Sequence, residues 1–175
     1  MKILRTVASI GLMAGLSINS GAIGQIAEDV PIITELTPLN EYMNRPADQR
    51  VDSYAFIRCA GLFLGFKYYA GANLDAATAA QADQTIAVFR DRGIYENVQW
   101  MAEQRGVSVD SMSDEDAEII IKDTWININS IAFFYDDRFK VNFVSDGAAF
   151  SVDEMVVQDF ELCGQFAQML ADAQQ

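Results

Sequence analysis

The chain has 175 residues, with 25 acidic side chains against 12 basic, no histidine, and a net charge of −13. That length suits one ordinary domain with a real core, and the negative field repels nucleic acid and anionic lipid headgroups while attracting a cationic protein, a peptide or divalent ions, although acids scattered along the chain, as these are, are also what solubility alone requires. Zero histidine removes the usual base of serine and cysteine hydrolases, and with it the imidazole ligand of zinc, copper, non-haem iron and haem sites.

The first 24 residues read as an export signal. Lys2 and Arg5 supply a basic start, Val7 to Ile18 is a glycine-broken apolar run, and small residues follow at Ser20, Ala22 and Gly24. Cleavage is expected between Ala22 and Gln25. A membrane anchor needs roughly 20 apolar residues, and this run meets Asn19 and Ser20 first, so no stable span is expected after cleavage. Loss of 24 residues takes away two basic and no acidic side chains, leaving 151 residues and a charge of −15.

Residues 25–45 carry Pro31 and Pro38, with Pro46 just beyond, and form an N-terminal arm. Thr37-Pro38 starts one short helix that ends near Met43, and Ile32, Ile33, Leu36, Leu39 and Tyr42 suit an arm packed back on the body. Residues 46–175 are expected to form a single all-α, four-helix bundle-like domain. The first long helix is expected from about Ala47 to Ala70, with Ala55, Phe56, Cys59, Leu62, Phe63, Phe66 and Tyr69 on one side. A second starts near Asp75 and reaches about Gln104, Gly93 being the natural break.

Ser113 precedes Asp114, Glu115 and Asp116, three carboxylates that favour the N-terminal end of a helix dipole. This third helix is expected to reach about Phe139, with Ile121, Trp125, Ile128, Ile131, Tyr135 and Phe139 inward. The alternation in Trp125 to Ile131 also fits a strand, but its flanks keep helical spacing. Lys140 to Phe150 holds a strand-like KVNFV before Ser-Asp-Gly, an extended loop or frayed end. Ser151-Val-Asp-Glu154 matches a capping box, which places the start of a last helix that runs to about Ala171, with Val152, Val156, Phe160, Cys163, Phe166, Ala167 and Leu170 on one face.

Cys59 and Cys163 are the only cysteines. In an up-down-up-down bundle the first and fourth helices are antiparallel neighbours that meet level at their midpoints, and these residues are those midpoints. Ala60, Gly61 and Gly164 leave room for the Cα separation of roughly 5.5 to 6 Å that a disulfide needs, and an exported protein meets oxidising conditions. One interhelical disulfide is therefore expected, against the alternative of two buried free thiols. A redox-active pair is disfavoured, since neither residue has a C-x-x-C partner or a nearby histidine.

No catalytic, cofactor or metal residue is singled out. C-x-x-C-H and Glu-x-x-His are absent, as are G-x-G-x-x-G and G-x-x-x-x-G-K-[ST]. Asp114 to Asp116 serve as a helix cap, and Asp136-Asp137-Arg138 lacks the alternating oxygen ligands of a calcium loop. Gly61-Leu-Phe-Leu-Gly65 is a G-x-x-x-G element, but Arg58 and Lys67 make its helix a core element with a close crossing, not a membrane span. The leading expectation is an exported, periplasmic or secreted, non-enzymatic protein that binds a cationic protein or peptide. The alternatives are an acid- or stress-responsive chaperone-like protein, a carboxylate-based envelope hydrolase, and a bundle whose Phe63, Phe66, Trp125 and Tyr135 line a ligand cavity, against which plain core is the stronger reading of such a stripe.

Overall fold

A computed structural model describes residues 30–173; the expected export signal and its expected cleavage site lie outside them. Among these residues five α-helices follow one another: α1 Leu39–Met43, α2 Asp52–Ala70, α3 Ala76–Arg105, α4 Asp114–Asp146 and α5 Glu154–Asp172. Short 3₁₀ turns at Ala47–Gln49, Gly71–Asn73 and Val109–Ser111 make three of the connections. Among the described residues there is no strand, and no helix is long and apolar enough to cross a membrane.

The chain folds around α2. Phe63 of α2 stacks with Phe89 of α3, and one end of α2 pairs Lys67 with Asp83 while its other side meets Gly93 through Ile57, so α2 and α3 run antiparallel. Phe56 meets Phe166, Cys59 joins Cys163, and Phe63 meets Phe160, so α5 is antiparallel to α2 as well. Contacts between α2 and α4 advance together, from Gly61 against Ile131 to Tyr69 against Phe139, which makes that pair parallel. This is the up-down-up-down order, compressed along one diagonal.

The compression comes from the two glycines of the G-x-x-x-G element. A Cβ on Gly65 would stand 2.7 Å from the carbonyl oxygen of Ala132, and one on Gly61 would stand 2.4 Å from Ile131 Cγ2. Bare backbone at both places lets α4 sit directly on α2. Leu62, Phe89, Ile128, Tyr135, Phe139 and Val156 then complete a core in which α2 is buried almost all round from Ser53 to Leu62. A second, smaller apolar cluster, Ile94, Val98, Ala102, Met112 and Ile120, joins the far ends of α3 and α4.

The disulfide lies where expected: Cys59 and Cys163 are bonded, with Cα atoms 5.5 Å apart and neither residue exposed. Other boundaries differ from the sequence expectations. The first long helix starts at Asp52 instead of Ala47, because Arg50 and Val51 are extended. The arm holds them so: the Val51 N–H donates to the Tyr42 hydroxyl at 2.7 Å, and an Arg50 guanidinium nitrogen donates to the Met43 carbonyl at 2.7 Å. Gly93 breaks nothing. It lies inside an unbroken 30-residue α3, at the point where Ile57 of α2 comes closest.

The third long helix continues past Phe139 to Asp146, through the strand-like KVNFV, and ends where Gly147 adopts a left-handed φ of 72°. There the polarity is inverted. Asn142 faces inward, its amide donating to the Ala149 carbonyl at 3.1 Å, while Val141, Phe143 and Val144 are exposed. Earlier in the same helix, Ile120 and Thr124 are the buried positions, with Ile121 and Trp125 half-buried beside them. The last helix is capped by Asp153, not Ser151: the Asp153 carboxylate accepts from the Val156 N–H at 3.2 Å and from Arg138 of α4. That cross-helix bond holds Asp153 at the cap and leaves Val152 outside the helix and exposed.

Candidate functional site

The most tightly organised polar group in the molecule is buried. Arg58 of α2, Tyr135 of α4 and Asp159 of α5 are all fully enclosed. Arg58 Nη2 donates to Asp159 Oδ2 at 2.5 Å, Arg58 Nε to the Tyr135 hydroxyl at 2.5 Å, and Arg58 Nη1 to the Tyr54 hydroxyl at 3.1 Å. The Tyr135 hydroxyl in turn donates to Asp159 Oδ2. Asp159 Oδ1 takes the Leu39 N–H at 2.8 Å, the first amide of α1. One ion pair thereby ties the arm, α2, α4 and α5 together.

Burial alone would weaken the Arg58 charge, yet Tyr135, Asp159 and Tyr54 around it outweigh burial and hold the guanidinium more firmly protonated than usual. Burial, opposed by Arg58 and reinforced by Asp159, pushes the Tyr135 phenol well above its ordinary range. No buried polar atom of the network lacks a partner, which makes it a tie that holds four segments in register. Asp159 was missed in the sequence because it lies among apolar neighbours of a helix face, and Arg58 read there only as an interruption of an apolar run.

Among the described residues the surface opens into several clefts. One, of about 600 Å³, lies between α1 and the α4–α5 junction, with Glu41, Asp146 and Glu154 on its rim. Its buried carboxylate, Asp153, is already committed to Arg138 and to capping α5. Another is the apolar cleft of about 380 Å³ between α3 and α5, where Phe63 and Phe66 line the wall. Of the four aromatic residues considered for a cavity, these two line one, whereas Tyr135 belongs to the buried network and Trp125 packs against the core under Arg90, whose guanidinium carbon is 5.4 Å from its ring centre.

A third cleft, of about 430 Å³, is acidic and holds an exposed tryptophan. The turn before α2 contributes Asp48, the start of α2 contributes Asp52, and the last turns of α3 contribute Glu96, Trp100 and Glu103, with Arg50 as the one basic lining residue. Asp52 lies 3.5 Å from Arg50, and Glu96 is paired with Arg92. Among the described residues Asp48 and Glu103 have no ion-pair partner. Trp100 is 43% exposed and, among the described residues, meets neither a ring nor a cation. The protein's own arginines show what such a face accepts: Arg45 lies 5.0 Å over Tyr42 and Arg92 5.2 Å over Tyr95.

The acidic segments singled out in the sequence are dispersed. Ser113 caps α4 by accepting the Asp116 N–H, and Asp116 pairs with Arg105 of α3 at 2.7 Å. Arg105 and then Ser113 hold the Asp116 carboxyl below the usual range. Asp136 pairs with Lys140 on its own helix and Arg138 with Asp153, so these two members of the charged triplet are used internally, while Asp137 is exposed. Among the described residues, no group of three or more acidic or cysteine side chains is arranged to hold a metal ion. No family model, curated protein or solved structure matches the chain.

Proposed function

We propose that this is an exported, periplasmic or secreted, acidic helical protein that acts by binding a cationic protein or peptide and not by catalysis. Export is supported by the signal-like start and by the buried Cys59–Cys163 bond, which suits an oxidising compartment. The observation that carries the binding reading is the Trp100 cleft: an open aromatic face beside two carboxylates, Asp48 and Glu103, that have no partner among the described residues. A lysine or arginine side chain placed there gains a cation–π contact and an ion pair together, and the net charge of −13 steers it in.

Titrating the folded protein with hexalysine, read by calorimetry and by tryptophan emission, tests this. Binding is expected to weaken steeply as salt rises from low to physiological ionic strength. Trp100→Ala and the double change Asp48→Asn/Glu103→Gln should each weaken it several-fold, at about 0.5–1 kcal/mol per exposed contact. Salt-independent binding, or undiminished affinity in the double variant, would overturn the reading.

A further inference from the structure

α3 and α5 pack on different sides of α2, and between them the surface opens into the apolar cleft of about 380 Å³. Phe63, Phe66, Phe150 and Phe160 form its floor and one wall, while Gln81 and Thr85 of α3 face them. The four rings make an edge-to-face set: Phe150 stands at 89° to Phe160 with centres 6.0 Å apart, Phe63 at 75° to Phe160 at 5.9 Å, and Phe66 is tilted against Phe150 at 5.6 Å. None of the lining residues ionises, on a chain of net charge −13. A second hollow of about 270 Å³ shares Gln81 and Thr85 and extends the cleft toward Phe89 and Ala167.

The walls define the occupant by charge and by shape. A cation would find no counter-ion among the lining residues, the Asp75 carboxylate beside them being engaged by Thr78, and an anion would be repelled by the surrounding field. An uncharged ring would continue the edge-to-face pattern, which is the favoured arrangement of aromatic pairs. Thr85 already donates to the Gln81 carbonyl at 2.9 Å. The Gln81 side-chain amide has no partner among the described residues and offers two N–H donors and a carbonyl acceptor at the mouth. The volume lies in the range of small-molecule sites, about 300–1,000 Å³.

We infer that the α3–α5 cleft is a binding site for a small uncharged aromatic molecule, its ring seated among Phe63, Phe66, Phe150 and Phe160 and a hydroxyl or carbonyl substituent held by Gln81. The site shares no residue with the Trp100 cleft and stands or falls independently of it.

The test uses the uncharged probe N-phenyl-1-naphthylamine and its anionic counterpart 1-anilinonaphthalene-8-sulfonate with the folded protein. The uncharged probe is expected to bind saturably at one site per chain, and the anionic one at least about tenfold more weakly. Thr85→Phe fills the cleft from α3 and should weaken the uncharged probe at least about tenfold. Gln81→Trp, at an exposed position on the same rim, provides a second filled variant in case the first does not fold. Absence of saturable binding, or unchanged affinity in both filled variants, overturns the proposal. So does a concentration-dependent dimer that either variant abolishes, since that assigns the cleft to a second copy of the chain.

Discussion

Replacing Asp159 by alanine should damage the fold more than any other single loss of a charged side chain. The substitution leaves the fully buried Arg58 guanidinium without its counter-ion and strips the Tyr135 hydroxyl and the Leu39 amide of their acceptor. Breaking a buried pair in this way costs about 3–5 kcal/mol, against a total stability of about 5–15 kcal/mol for a domain of ordinary size. The unsatisfied Leu39 amide is relieved only if the arm lifts and water reaches it. Two measurements follow. Urea unfolding followed by helical circular dichroism should show a midpoint shifted by that amount, and limited proteolysis should cut between residues 30 and 50 faster than in the native protein. The double change Arg58→Met/Asp159→Leu removes both charges and should recover the part of the loss that comes from the uncompensated guanidinium, whereas the Leu39 amide and the Tyr135 hydroxyl still lack their acceptor. A loss below about 1 kcal/mol in the single variant would refute the claim that this pair is sealed from water.

Gly65→Ala should destabilise by about 1–3 kcal/mol, because the new methyl meets the Ala132 carbonyl and must push two helices apart. Gly93→Ala should cost much less in the same denaturation assay. Its methyl meets a side-chain carbon, Ile57 Cγ1 at 2.9 Å, and not a backbone carbonyl, and alanine regains about 1 kcal/mol of helix propensity. Removing the disulfide as Cys59→Ala/Cys163→Ala should lower stability by about 4–5 kcal/mol, since the bond closes a 104-residue separation. Tyr135 fixes the sign of one pH effect. Its phenol pKa is raised in the folded state, so its contribution is complete below the unfolded value of about 10 and is lost as pH rises beyond it. The stability gap between the native protein and Tyr135→Phe, about 1–3 kcal/mol at neutral pH, should therefore shrink in alkali. A gap that widens there would contradict the geometry.

Much of the fold was legible because it depends on short-range patterning. Three- and four-residue spacing of Phe56, Cys59, Phe63 and Phe66 specified the inward face of α2, and the midpoint positions of Cys59 and Cys163 anticipated both their bond and the antiparallel pairing of α2 with α5. The G-x-x-x-G element likewise announced a close helix crossing, though not which helix would cross it.

Tertiary structure alone decided the rest, because those outcomes depend on groups far apart in the chain. Asp153 caps α5 because Arg138 of α4 holds its other oxygen. KVNFV is helical because Asn142 finds the Ala149 carbonyl and the helix ends only at Gly147. Arg58 and Asp159, 101 residues apart, become one buried pair only once α2 and α5 meet. The Trp100 cleft and the phenylalanine-walled cleft are also gaps between helices, and no local pattern encodes a space that exists only after packing. Propensity and periodicity act within a few residues, whereas burial, which sets whether a charge is sealed in or left to meet a ligand, is settled by the whole molecule.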